Sequence, residues 1–252
     1  MGKLILITGA TSGFGKAAAY KFAANGWDCI ITGRRKERLV ELEKELRENY
    51  KADILSLNFD VRKAGEVKAA INSLTGKWKN IDVLLNNAGL AAGRGPIQEG
   101  SYDDWEQMID TNVKGLLYMT REVSPLMIER RKGHIINVGS LAGWESYGGG
   151  NVYIGTKHAV RAITRSSRID LLPYNIKVSV ISPGAAETEF SLVRFKGDEQ
   201  KAASIYDGYK PLDAKDVAES IYFMAIQPEH VNIEEILILP TAQATTSVFQ
   251  KS

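Results

Sequence analysis

Short apolar runs rich in β-branched residues alternate with longer helical patterns along the whole chain, and this constrains the fold more than any other feature. The runs are Leu4 to Thr8, Asp28 to Gly33, Asp53 to Asn58, Ile81 to Asn86, His134 to Gly139, Lys177 to Ser182 and Glu235 to Leu239. Helical periodicity fills the intervals at about 13–25, 36–48, 63–77, 103–130, 152–172 and 214–226. Continuous apolar strands separated by amphipathic helices predict a parallel sheet covered on both faces. Seven strands make it a doubly wound α/β fold. No low-complexity linker or internal repeat interrupts the rhythm, so 1–252 reads as one domain that binds a nucleotide and carries the chemistry. The segment from Pro183 to about Pro211 has no clean strand and follows a strand whose end faces the ligand crevice, which predicts a substrate loop there.

Composition narrows the function. A net charge of +2, with no long basic block, gives no case for nucleic acid or an acidic membrane. No stretch approaches the roughly 18 apolar residues of a membrane span. One cysteine, Cys29, excludes an intramolecular disulfide, and three scattered histidines offer no metal cluster. A cytoplasmic protein without a metal is expected.

Between the first strand and the first helix lies Thr8-Gly9-Ala10-Thr11-Ser12-Gly13-Phe14-Gly15. Small residues let the backbone approach a pyrophosphate, and the helix start offers free N–H groups. The second strand ends in Gly33-Arg34-Arg35, where NAD-binding proteins usually carry a carboxylate for the ribose 2′-hydroxyl. Guanidinium forks bind phosphate well, so Arg34 and Arg35 favour NADP(H). Their alternative is two solvated charges opening a helix. Asp60-Val61 follows the third strand and is a candidate for the adenine ring, and Asn86-Asn87-Ala88-Gly89 follows the fourth as a further candidate cofactor contact, with plain turn chemistry as its alternative.

Tyr153 and Lys157 stand four apart, on one face of a helix, with Ser140 upstream. An ammonium beside a phenol favours the phenolate, so Lys157 is expected to lower the Tyr153 pKa and make it a proton donor and acceptor. Arg194, in the irregular segment, is a candidate for a substrate carboxylate; a rim arginine closing over the cofactor is its alternative.

Thr8 to Gly15, Asn86 to Gly89, Asn112, Ser140, Tyr153 with Lys157, and Pro183-Gly184 together resemble the short-chain dehydrogenase/reductase superfamily, in order and over the whole chain. The resemblance implies a Rossmann-type seven-stranded sheet and a catalytic tetrad of Asn112, Ser140, Tyr153 and Lys157. Ser140 and Tyr153 would meet the substrate, and Lys157 would hold the nicotinamide ribose. Asn112 would position a water, while Pro183, Gly184 and Thr188 would touch the cofactor. Thr-Gly-Arg-Arg-Lys-Glu-Arg-Leu at 32–39, Gly-Gly-Asn-Val-Tyr at 149–153 and the stretch 188–197 look most like the NADP-dependent 3-hydroxy acid dehydrogenases. That likeness implies a small hydroxy acid such as serine, L-allo-threonine or 3-hydroxypropionate, and a homotetramer. Uncharged ketones or aldehydes remain open as substrates, and so does an NADP(H)-binding regulator without turnover.

Overall fold

The computed structural model describes residues 2–251. Its centre is one seven-stranded sheet, entirely parallel, in the order β3-β2-β1-β4-β5-β6-β7. The strands are β1 Leu4–Ile7, β2 Asp28–Gly33, β3 Ile54–Asn58, β4 Val83–Asn86, β5 Gly133–Val138, β6 Ile176–Pro183 and β7 Glu235–Ile238. The expected doubly wound fold is present, with each strand within a few residues of its expected bounds.

Alternation along the strands explains the layers. Ile5, Ile7, Cys29 and Ile31 point to one face, where α1 (Gly13–Ala24), α2 (Lys36–Asn49) and α9 (Ala214–Ala225) add Phe22, Leu42 and Ile221. Leu4, Leu6 and Ile30 point to the other, where α3 (Ala64–Asn72), α5 (Leu116–Arg130) and α6 (Asn151–Leu171) add Val67, Val123 and Leu171. Burial on both faces is why the strands read as unbroken apolar runs.

Three helical regions differ from expectation. The stretch 103–130 is not one helix. α4 (Tyr102–Ile109) passes into a π-helical turn, Asp110–Gly115, before α5 begins. The widened turn carries Asn112, which is 2 % exposed, toward the sheet ends. The helix expected over 63–77 stops at Asn72, and a separate short turn follows around Gly76, whose φ is +54°. The segment after β6 is not a bare loop: it holds two short helices, α7 (Glu189–Arg194) and α8 (Glu199–Ser204). Each is capped, by Thr188 Oγ1 accepting from Phe190 N and by Asp198 accepting from Lys201 N.

His134 shows what a fully buried polar group needs in this core. Asn232 Nδ2 donates to Val178 O at 3.3 Å, which turns its Oδ1 toward Ser179 Oγ at 3.0 Å. Ser179 spends its proton there and accepts from His134 Nε2 at 2.8 Å. The ring is therefore the neutral Nε2–H tautomer, and Nδ1 is buried without a partner. Burial, with Lys177 nearby, pushes its pKa down to about 3 from 6.5. Between those pH values the unfolded chain binds the extra proton, so stability falls as pH is lowered from 6.5 toward 3. In chemical denaturation over that window, wild type should lose about 1.4 kcal/mol per pH unit more than His134→Gln. Parallel profiles would show that His134 takes up its proton while folded.

Candidate active site

The sheet order reverses between β1 and β4, and the crevice outside their C-terminal ends is where a ligand fits in such sheets. Thr8, just past β1, holds this crevice together. Its Oγ1 donates to Leu85 O and accepts from the backbone N–H groups of Asn87 and Ala88 at 3.0 and 2.9 Å. Asn87 Nδ2 donates back to Thr8 O at 2.8 Å. The first turn of α1 closes down on this joint. A Cβ on Gly15 would lie 2.4 Å from Gly9 O and 2.5 Å from Asn87 Nδ2, so only glycine permits the approach.

Gly9, Thr11, Ser12, Gly13, Phe14, Arg34, Arg35, Asp60, Val61, Asn87, Ala88, Gly89, Tyr153, Lys157 and Thr188 all line one continuous groove along these strand ends. Gly15 lies beneath the turn rather than on the groove. Pro183 closes β6, and Gly184 packs so tightly on Gln243 and Leu239 that a Cβ would come within 2.3 Å of Gln243 Oε1. Neither is among the residues that line the groove. The groove also takes Phe59, Leu90, Thr111, Val138, Glu189, Phe190 and Val193, which the sequence did not single out.

At the β2 end, Arg35 is fixed by hydroxyls. Its Nε and one terminal nitrogen donate to Thr11 Oγ1 at 3.1 and 2.8 Å, and the latter also donates to Ser12 Oγ at 2.8 Å. A Cβ on Gly33 would come 2.9 Å from Thr11 Cγ2, so a carboxylate side chain there would disturb the threonine that orients Arg35. Asp60 lines the groove, but its carboxylate is gripped bidentately by Arg62. Burial raises its pKa, and the hydrogen bonds and charge of Arg62, with Arg34, outweigh that and hold it below the ordinary carboxylate value.

At the β5 end, Tyr153 and Lys157 sit side by side on α6, both buried. Lys157 Nζ donates to Val138 O at 2.9 Å and lies 5.8 Å from the centre of the Tyr153 ring. The expected lowering of the tyrosine by the lysine is not met in the chain alone. Burial pushes Tyr153 up to about 12, and a hydrogen bond with Ser140 opposes the rise only in part. Burial also pushes Lys157 down to about 8, so its charge is itself costly at this position. Asn112 holds the scaffold: its Nδ2 donates to Leu90 O and Thr156 Oγ1 at 2.8 and 3.0 Å, and its Oδ1 accepts from Leu90 N at 2.8 Å. Thr156 Oγ1 in turn donates to Tyr153 O at 2.7 Å. The asparagine thus ties the turn after β4 to the helix that carries the tyrosine.

Arg194 ends α7 beside this pair. Its guanidinium carbon lies 5.2 Å from the centre of the Tyr153 ring, and one terminal nitrogen donates to Tyr147 Oη at 2.6 Å. Its Nε is buried without a partner. Phe190, one turn earlier, packs on Tyr153 with ring centres 5.6 Å apart. Tyr147 and Phe190 escaped the sequence reading because each is linked to the site only through contacts with other elements.

A groove with guanidinium groups at one end and a buried phenol, hydroxyl and amine at the other is the site of a dinucleotide-dependent oxidoreductase. The residues suit such a cofactor: the glycine turn admits a pyrophosphate, and Arg35 is pre-oriented for a further phosphate. The family model for short chain dehydrogenase matches residues 3–198. An NADP-dependent 3-hydroxy acid dehydrogenase of Salmonella typhi is 48% identical over 242 residues, 96% of each chain. Sulfoacetaldehyde reductase 2 of Chromohalobacter salexigens is 44% identical over 245 residues, covering 97% of this chain and 96% of that one. Among solved structures, the closed form of serine dehydrogenase complexed with NADP+ superposes with a TM-score of 0.92 at 45% identity, over 99% of both chains. The chain belongs to the short-chain dehydrogenase family.

Ser140 is expected to tune Tyr153 and not merely to sit near it. Ser140→Ala removes the neighbour whose hydrogen bond favours the phenolate, so the Tyr153 pKa should rise further. The alkaline rise of alcohol oxidation should then move to higher pH, while Tyr153→Phe should abolish that limb and cost ~10²–10⁴ in turnover. A pH–rate profile unchanged by Ser140→Ala would remove the serine from this role.

Proposed function

We propose that this chain interconverts a short 3-hydroxy acid and its oxo form with NADP(H). The observation that carries the substrate class is Arg194. A guanidinium held by Tyr147, beside Tyr153 and with a buried unpartnered N–H, is suited to an anion placed next to the proton donor. The names of the relatives agree in kind, since hydroxy acids, serine and sulfoacetaldehyde all carry an anionic group.

NADP(H), when bound, supplies or accepts the hydride. In reduction Tyr153 Oη gives its proton to the substrate oxygen, and its burial keeps it protonated across the ordinary pH range. Ser140 donates a hydrogen bond to the same oxygen and steadies its negative charge. Lys157 holds the ribose hydroxyls and, when protonated, offsets the charge left on Tyr153. Asn112 keeps the turn carrying Gly89 and Leu90 in place against α6. Arg35 takes the 2′-phosphate, and Arg34, turned toward Asp60, lines the same end of the groove. Thr188 faces the glycine turn, its Cβ 3.6 Å from where a side chain at Gly13 would begin. Oxidation runs the same steps in reverse.

Arg194→Met tests the substrate assignment. Removing one partner of a buried charge pair costs ~2–5 kcal/mol, or roughly 30-fold to several thousand-fold in kcat/KM. Serine, 3-hydroxypropionate and malonic semialdehyde should lose this much, while an uncharged diketone changes little and the KM for NADPH holds. Equal losses on acid and neutral substrates would return Arg194 to a structural or cofactor-closing role.

A cytoplasmic homotetramer belongs to the same reading. Cys29, the chain's one cysteine, is buried and unpaired. Among the described residues no helix is long and apolar enough to cross a membrane. Exposed apolar side chains include Leu117 on α5, Ile169 and Leu172 at the end of α6, Phe223 and Ile226 around α9, and Leu237 on β7. Two self-complementary surfaces are what a four-copy assembly with dihedral symmetry needs. Light scattering should give four times the chain mass, and Ile169→Glu should reduce it to a smaller species. A monomeric wild type would refute the assembly.

A further inference from the structure

Arg35 and Arg38 share an anion that comes from the other side of the groove. Arg35 Nη1 donates to Glu189 Oε2 at 2.9 Å, and Arg38 Nη1 donates to both carboxylate oxygens at 2.8 and 3.0 Å. All three side chains are close to half exposed, so an incoming group can reach them. Arg34 is turned elsewhere, with Asp60 at 3.9 Å. The carboxylate therefore sits where the guanidinium groups would receive a phosphate.

We infer that Glu189 is a cofactor-selectivity residue that opposes the 2′-phosphate, holding Arg35 and Arg38 until the phosphate takes them over. The inference rests on the reading of Arg35 as the phosphate site. The charge count supports an exchange. Two guanidinium groups and one carboxylate sum to +1. A phosphate monoester brings about −1.5 to −2 at neutral pH, so it overbalances the pair unless the carboxylate withdraws. With glutamine at 189 the same two guanidinium groups carry +2 and nearly match the phosphate. Adenosine without that phosphate gains nothing from the change. Glu189 thus weakens NADP(H) selectively and keeps it releasable, while the arginines keep it preferred.

The probes are 2′,5′-ADP and 5′-AMP, which differ only in the 2′-phosphate, titrated calorimetrically into the protein. Glu189→Gln keeps the shape of the side chain. Two exposed ion pairs are being released, each of modest strength, so 2′,5′-ADP should bind about three- to thirtyfold more tightly, with 5′-AMP unchanged. Unchanged or weaker binding of 2′,5′-ADP overturns the inference. So does an equal gain for both nucleotides, which would make Glu189 a general obstruction. Arg35→Ala separates the two levels. If it leaves 2′,5′-ADP binding intact, the phosphate site itself is wrong and the inference falls with it. If it weakens 2′,5′-ADP while Glu189→Gln does nothing, only the role of Glu189 is lost.

Discussion

The bond between Thr8 and the turn after β4 is the constraint on which the rest of the site depends. Where the strand order reverses, two adjacent chains leave the sheet in diverging directions, and their backbone groups lose ladder partners. Thr8 Oγ1 replaces those partners on one side by accepting from Asn87 N and Ala88 N, and Asn87 Nδ2 returns a bond to Thr8 O. One hydroxyl and one amide thus fix both walls of the groove. Asn112 continues the chain of ties from Leu90 to Thr156, and Thr156 anchors on Tyr153 O. The position of the Tyr153 phenol is therefore set by polar contacts running from the end of β1, through the turn after β4, to α6.

These ties position groups that the protein stabilises poorly when charged. Tyr153 and Lys157 are both buried, and burial moves their pKa values in the directions that keep each neutral. Arg194 stands beside them with an Nε that, among the described residues, is buried without a partner. A core built for stability alone would not hold these three side chains together; the arrangement leaves room for charges that arrive with ligands. His134 is the contrast. It is equally buried, but Ser179 and Asn232 fix its tautomer and it lies away from the groove. Burial of a titratable group by itself therefore does not mark function here, whereas burial together with access to the groove does.

The sheet was legible because parallel strands covered on both sides must be apolar throughout, and residues such as Leu4 to Ile7 have no other use. The glycine turn, the arginines after β2 and the Tyr153/Lys157 spacing were legible because each is a local pattern. What stayed hidden was set by contacts between distant residues or by small changes in helix geometry. The π turn around Asn112 covers only Asp110–Gly115, too short a departure to stand out in a helical pattern. α7 and α8 are six residues each, too short for a periodic signal. Tyr147 meets Arg194 across 47 residues, and Glu189 meets Arg38 across 151. No local pattern announces such pairs.

The placement of α7 also explains why one short segment can serve both ends of the groove. Its first residue, Glu189, reaches the arginines of the β2–α2 corner, and its last, Arg194, reaches Tyr147 beside Tyr153. Phe190 packs on the tyrosine ring between them. A six-residue helix rises only about 9 Å, so its two ends cannot shift far independently while the hydrogen bonds within it persist. Backbone ties fasten it at the far end, where Gly93 N donates to Arg194 O at 3.0 Å. Among the described residues the end at Glu189 has no backbone tie to the β2–α2 corner: Glu187 N donates to Leu212 O at 2.9 Å just before it, and the arginines are met by side-chain ion pairs. Ion pairs close to half exposed are weak and exchangeable, whereas a backbone bond inside the fold is not readily given up. The contacts at the Arg194 end are thus fixed, while those of Glu189 with Arg35 and Arg38 are exchangeable, so the arginines can take a new partner without disturbing the segment beside Tyr153.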